Sequence, residues 1–182
     1  MNSRRASGLL VLILVVGAGM RLWHARSLAP SYTGGEEGYY EQGVSWLSRG
    51  VFSLGPADGR PAVWRGPGFP AFAALVELPF TIAHPSHLGY AVALLSVGGL
   101  CAAYLLAAHL AGPLAGLLAA GLLAFDAGQI RSSSSLNIHA YYGLGLLMLA
   151  CAAAAWAESP TPRRGLLFGA ALGATLLSRS TH

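Results

Sequence analysis

Long apolar runs separated by short polar breaks set the pattern of this chain. A helix needs roughly 20 apolar residues to cross a bilayer core. Runs of about that length cover residues 6–23, 87–110, 113–130 and 138–157, and a fifth begins near Gly165 and reaches the end of the chain. The pattern predicts an all-α, polytopic membrane protein whose single transmembrane domain, residues 1–182, has about five transmembrane helices.

The one long polar stretch, residues 24–68, predicts a first outer loop that contains a helix. Residues 34–49 have the spacing of an amphipathic helix, with apolar positions at Tyr40, Val44 and Leu47 and an end at Arg49-Gly50. The apolar but short segment 69–82 contains Glu77 and Pro79, so it is predicted to be an interfacial helix and not a span.

Composition excludes a soluble domain. Apolar residues make up 54% of the chain and charged residues only 10%, whereas a soluble domain is about one quarter charged. The net charge of +4 comes from 11 basic residues, all arginine, with no run longer than two. A nucleic-acid partner is therefore not expected.

The positions of the arginines predict which side of the membrane each loop faces. With about five crossings, the pairs Arg4-Arg5 and Arg163-Arg164 fall on one side, which the rule for short loops assigns to the cytoplasm. The N-terminus is then cytoplasmic, and the 24–68 loop is extracytoplasmic. The first apolar run also fits a cleaved signal peptide, but no A-x-A site follows it, which favours a retained anchor.

The acidic pair Glu36-Glu37 is the strongest candidate for chemistry. Glu36 shares a helix face with Tyr40, and Gly34-Gly35 before it would let a ligand approach the backbone. The structural alternative is a capping box formed by Thr33 and Glu36.

Two further segments carry candidate binding residues. Arg65, in the irregular sequence Trp64-Arg-Gly-Pro-Gly, has a guanidinium that suits phosphate, and an interfacial anchor is its alternative. Arg131, Asn137 and His139 lie on the same predicted outer side, where Asn137 also fits a helix N-cap.

Three other polar positions have open interpretations. Asp126 is ionisable at predicted membrane depth and so is a functional candidate, with exposure at the outer boundary as the alternative. His84 and His87 flank a proline and are interpreted as a surface turn and not as metal ligands.

The order of these motifs resembles the start of GT-C-type membrane glycosyltransferases of the protein mannosyltransferase and aminoarabinose transferase-like superfamily. An N-terminal span is followed by an acidic pair with tyrosine, here Glu36-Glu37 and Tyr39-Tyr40, and then by an R-x-P-x-x-P segment, Arg65 to Pro70. The family's pair is usually Asp-Glu. Asn137 stands where the family tends to have a second acid, which weakens a metal or second-carboxylate assignment.

The resemblance implies sugar transfer from a polyprenyl-phosphate donor to an unidentified acceptor at the outer membrane face, with inversion. Glu36 would be the base, Glu37 its orienting partner, and Arg65 or Arg131 the cation for the leaving phosphate, with Tyr40, Asn137 and His139 as further binding residues. No cofactor is assigned, and a divalent metal stays open. Such enzymes are longer, so these residues alone are expected to be inactive. The alternative is a non-catalytic membrane scaffold or transporter fragment.

Overall fold

The computed structural model describes residues 3–27, 37–52, 66–133 and 138–178, and this part of the chain is helical without strands, as predicted. Its helices are α1 (Ser3–Ser27), α2 (Glu37–Arg49), α3 (Gly68–Glu77), α4 (Pro85–Ala111), α5 (Pro113–Phe125), α6 (Ala127–Ser132), α7 (Ile138–Glu158) and α8 (Pro162–Ser178). Three of them, α1, α4 and α7, are long and apolar enough to cross a membrane. About five crossings stays a prediction, because α5 and α8 are shorter.

The five longest apolar helices run in two directions. Helices α4 and α7 are parallel: the Cβ expected at Gly98 would lie 3.7 Å from Leu144, and further along Cys151 donates to the carbonyl of Ala102 at 3.5 Å. Helix α8 is antiparallel to α7, since the Trp156 and Phe168 rings stack at 5.5 Å at one end. At the other end, Gly145 of α7 contacts Thr175 of α8.

Helices α1 and α5 run in the same direction as α8. The Cβ expected at Gly17 of α1 would lie 3.3 Å from Ala124 near the end of α5, and the one at Gly121 would lie 4.0 Å from Ile13, one turn earlier on α1. A tight turn reverses the chain between α4 and α5 at Gly112, whose φ of 89° favours glycine. The first residues of α1 and α8, with Arg5 and Arg163, therefore lie at one end of the bundle.

The predicted helix over 113–130 is interrupted. Helix α5 ends at Phe125, Asp126 has extended backbone angles, and α6 begins at Ala127. Asp126 is exposed, and its carboxylate accepts the Gln129 N–H at 2.6 Å. An aspartate that caps a new helix stops the old one, so the apolar run becomes two helices. This contact favours the interpretation of Asp126 as an exposed residue at the outer boundary of the predicted span.

Helix α3 is shorter than the predicted segment 69–82. It begins at Gly68 and ends at Glu77, followed by a turn closed by the Phe80 N–H to the Glu77 carbonyl at 3.0 Å. Pro79 explains the early end, because proline has no N–H to donate and its ring clashes with the carbonyl four residues earlier. Helix α2 ends at Arg49 as predicted, with Gly50 at φ 67°, whereas residues 34–36 lie outside the described part.

Candidate functional site

Phe69, the second residue of α3, is the centre of a buried aromatic cluster. Its ring has no exposure, and it makes edge contacts with Tyr39 of α2 at 5.8 Å and Tyr141 of α7 at 5.7 Å between ring centroids. The other buried members are Tyr40 of α2, Ala73 of α3, and Leu88 and Val92 of α4. We call this group the Phe69 cluster. It joins the first turns of α2, α3 and α7.

Helices α2 and α3 pack in parallel and nearly backbone to backbone. A Cβ at Gly43 would lie 2.6 Å from the Pro70 carbonyl oxygen and 2.8 Å from the Ala73 Cβ, so only glycine fits there. Further along both helices, Trp46 lies beside Leu78 in one groove. Because Tyr39 meets Phe69 at the other end, the N-termini of α2 and α3 lie side by side.

The C-terminus of α8 reaches the same place. A Cβ at Gly68 would lie 3.0 Å from the Leu177 carbonyl oxygen and 3.1 Å from the Ser178 Cα. Four helix ends therefore meet around Phe69, and we call this place the four-helix junction. It consists of the first turns of α2, α3 and α7 and the last turn of α8.

Three predicted site residues, Glu36, Arg65 and Asn137, lie outside the described residues. Each is joined to a described segment: Glu37 opens α2, Gly66 precedes α3, and Ile138 opens α7. Ile138 packs against the Phe69 cluster, and the α2 and α3 starts lie beside it. The fold thus brings together the chain segments from which these three side chains extend.

Of the other predicted site residues, Tyr40 and Glu37 belong to α2, whereas Arg131 and His139 lie away from the Phe69 cluster. Tyr40 is a buried member of the Phe69 cluster, while the side chain of Glu37 is not among those described. Arg131 is exposed near the end of α6, which packs beside α1, α5 and α7 and not against the cluster. His139 faces a separate cavity beside Arg21.

An apolar groove leads away from the four-helix junction between α7 and α8. It has a volume of about 360 Å³ and is lined from Met148 and Leu167 at one end to Tyr141 and Ser178 at the junction. Because its remaining lining is leucine, alanine and glycine, it offers contact to a hydrocarbon chain.

Gln42 was not expected among the polar groups near the junction. Its side chain, on α2 next to Gly43, has no exposure, and within the described part of the chain neither its amide oxygen nor its amide nitrogen has a hydrogen-bond partner. An unsatisfied buried amide is costly. A polar ligand at this end of the molecule would remove that cost.

Sequence reasoning also missed a buried carboxylate beside the two histidines. Glu77 has no exposure, and its Oε2 accepts the His84 backbone N–H at 3.2 Å and lies 3.0 Å from His87 Nδ1. Phe69, Ala73 and Glu77 are spaced four residues apart, so they share one face of α3. This spacing was the signal in the sequence that Glu77 is buried. Among the described residues no group of three potential ligands is placed to hold a metal.

Arg21 is a further unexpected buried residue. Only 1% of it is exposed, and its guanidinium donates to the carbonyls of Gly17 at 3.1 Å, Ala124 at 3.1 Å and Leu123 at 2.9 Å. The last two are at the end of α5, where carbonyls lack helical partners. Arg164 serves α7 in the same way, by donating to the Ala155 carbonyl at 2.6 Å.

Comparison with protein-family models, curated proteins and solved structures finds no match for this chain. The resemblance to membrane glycosyltransferases therefore has its basis in the order of the sequence motifs alone.

Proposed function

We propose that this chain is the N-terminal, lipid-phosphate-binding part of a membrane glycosyltransferase that transfers a sugar from a polyprenyl-phosphate donor to an acceptor hydroxyl. Glu36 is the base and Arg65 the cation for the departing phosphate. The donor's hydrocarbon lies in the groove between α7 and α8.

The parallel packing of α2 on α3 is the observation that supports this proposal. Glu36 immediately precedes α2, and Arg65 lies three residues before α3. Tyr39 and Phe69, near the starts of the two helices, have ring centroids 5.8 Å apart. Antiparallel packing would have separated the Glu36 carboxylate from the Arg65 guanidinium by about a helix length. The contact favours a shared site for a carboxylate and a guanidinium.

Two features of the junction suit an amphipathic donor. The apolar groove between α7 and α8 ends at Ser178, next to Gly68. The buried amide of Gln42 can donate to and accept from sugar hydroxyls. A polar amide and an apolar groove at the same junction match the sugar phosphate and the hydrocarbon chain of a prenyl-linked donor.

The proposed reaction is a single displacement. The acceptor oxygen forms a bond to the anomeric carbon while its proton moves to the Glu36 carboxylate. The bond between that carbon and the phosphate oxygen breaks, and the phosphate leaves with the electron pair. Arg65 stabilises the charge that grows on this oxygen. Attack opposite to the leaving group inverts the anomeric configuration.

Replacing Glu36 by glutamine tests the base. In the intact enzyme, Glu36→Gln should lower the transfer rate by about 10²–10⁴-fold, because the amide cannot take the proton. Membrane insertion and donor binding should be unchanged. The matched control is Glu41→Gln, five residues further on and exposed in α2. Full transfer activity in Glu36→Gln would remove this residue from the mechanism.

Binding separates this function from a non-catalytic scaffold or a transporter fragment. The detergent-solubilised protein should bind a polyprenyl phosphate, and Arg65→Gln should weaken that binding by about tenfold or more, since it removes a charge-assisted contact. Arg60→Gln, in the same polar stretch, is the control. In a scaffold, any binding of polyprenyl phosphate would be independent of Arg65, so the wild type, Arg65→Gln and Arg60→Gln would behave alike.

A further inference from the structure

A second cavity lies apart from the four-helix junction. It has a volume of about 370 Å³ and opens between α1, α4, α6 and α7. On α7 it is lined by His139, Gly143 and Leu147, whereas Ile138 and Tyr141 contact the Phe69 cluster. The two places therefore use neighbouring faces of α7, which meet at Ala140, a residue that borders both.

Arg21 lines this cavity and keeps part of its donor capacity. Two hydrogen bonds from Nη1 and one from Nη2 go to backbone carbonyls, but Nε, which is buried, has no acceptor among the described residues. A guanidinium has five N–H donors, so Nε–H and one Nη2–H remain. They belong to neighbouring nitrogens, and adjacent N–H groups of arginine bind phosphate oxygens in pairs.

Within the described residues Arg21 makes no contact ion pair, and Asp126, just after the end of α5, is the carboxylate that acts on its charge from beyond 4.0 Å. In the part of the chain that the structure describes, no carboxylate oxygen lies within 4.0 Å of the guanidinium, and the two ion pairs there belong to His87 and His109. The carbonyls that it caps supply partial charge only. A buried cation of this kind is stabilised by an anion beside it.

The lining of the cavity changes from polar to apolar along its length. Gln129 and Ser132 lie on α6, directly after the end of α5 to which Arg21 donates, and His139 lies in the first turn of α7. The walls one to two turns deeper along α7 are Leu144 and Leu147, facing Leu100 of α4. A ligand that fills this space has an anionic head at Arg21 and a hydrocarbon portion below it.

We propose that this cavity is a second lipid site, which binds the phosphate group of an anionic amphiphile through the free edge of Arg21. Capping of α5 accounts for two hydrogen bonds of Arg21, and the third goes to the Gly17 carbonyl of its own helix. Neither contact accounts for the unpartnered Nε or for the cavity beside it. The site goes beyond the proposed transfer reaction and does not depend on it, because it shares neither Glu36, Arg65 nor the Phe69 cluster.

Filling the cavity tests this site without changing Arg21. A Cβ at Gly143 would meet no atom within 4 Å, and Gly143 lines the cavity, so Gly143→Leu should occupy the space while the α5 cap stays intact. The control is Gly169→Leu on α8, where a Cβ is equally unobstructed. The probe is dodecyl phosphate, titrated into the protein in a non-ionic detergent and measured by calorimetry.

The titrations are made in an Arg65→Gln background, which weakens the proposed donor site. In that background we expect the otherwise wild-type protein and Gly169→Leu to bind dodecyl phosphate with equal affinity and Gly143→Leu to show no binding. Inorganic phosphate, titrated in parallel, identifies the source of the group: binding of dodecyl phosphate alone assigns a lipid headgroup, and binding of both assigns a free phosphate. Equal binding to Gly143→Leu, or no binding of either probe to the otherwise wild-type protein, overturns the proposal.

Arg21 is tested separately. In the same background, Arg21→Gln should weaken binding of the same probe by about tenfold or more, because it removes the charged fork. Arg26→Gln, which removes an exposed arginine from the last turn of the same helix, should leave this binding unchanged. Gly143→Leu decides the question if Arg21→Gln does not fold. Loss of glycosyl transfer in Glu36→Gln with intact dodecyl phosphate binding separates the two sites.

Discussion

Single residues decide how closely the helices of this protein approach. At Gly43 and Gly68 the expected Cβ would lie within about 3 Å of backbone atoms of a neighbouring helix, so each glycine permits a contact that no other residue allows. Arginine has an equally local role at Arg21 and Arg164, whose guanidinium groups satisfy helix-end carbonyls. In a chain with so little polar surface, these side chains replace water at the helix ends.

Gly43→Ala should destabilise the protein although alanine favours helices. The new methyl would meet the Pro70 carbonyl at 2.6 Å, and overpacking of this kind costs about 1–3 kcal/mol. Gly19→Ala is the control, since a Cβ there meets nothing within 4 Å and the change should be neutral or favourable by up to about 1 kcal/mol. The thermal unfolding midpoint in detergent measures both. An unchanged midpoint for Gly43→Ala would contradict the close α2–α3 contact.

At the scale of elements, the lengths of the apolar runs predicted the long helices α4 and α7 well. The bounds of α4 and α7 agree with the predicted runs to within two residues. The failures occur at single polar residues inside apolar segments. Asp126 divides one run into α5 and α6, and Pro79 with Glu77 ends α3 early, because a cap or a missing N–H acts locally and hydropathy averages over it.

The antiparallel packing of α7 and α8 predicts a cross-link. The Cβ expected at Gly145 lies 3.8 Å from the Thr175 Cβ, which is a typical Cβ separation in a disulfide, about 3.8 Å. With Cys101 and Cys151 replaced by alanine, the pair Gly145→Cys and Thr175→Cys should oxidise to an intramolecular disulfide, seen as a mobility shift that a reductant reverses. Gly145→Cys with Leu176→Cys, the next and exposed position, should not. Equal oxidation of both pairs would show that α8 is not fixed against α7.

At the scale of the whole molecule, the motif order in the sequence predicted a site, and the fold brings together the helix ends that adjoin those motifs. No periodicity relates residue 37 to residue 68 or residue 178, so the four-helix junction was not foreseeable. It depends on parallel packing of two short helices, which Gly43 permits and hydropathy does not encode. Arg21 was hidden for another reason: it falls inside an apolar run whose predicted role was only to cross the bilayer.

The predicted crossings can be checked by cysteine labelling. In a protein without Cys101 and Cys151, Ser53→Cys in the first polar loop should react with a membrane-impermeant maleimide from outside the cell membrane. Thr161→Cys, exposed between α7 and α8, should react only after the membrane is permeabilised, because five crossings place it with the N-terminus. Labelling of both positions from the same side would contradict the predicted topology.

The break at Asp126 has a consequence for the lipids around this protein. At about 1.5 Å per residue, the 13 residues of α5 extend about 20 Å, and the 27 residues of α4 beside it extend about 40 Å. In the predicted topology, in which both helices cross the membrane, a hydrocarbon layer about 30 Å thick would match neither helix, and the bilayer would be compressed along the α5 flank. Membranes with shorter acyl chains would suit that flank best, and lipid thickness becomes a variable on which the packing of this bundle depends.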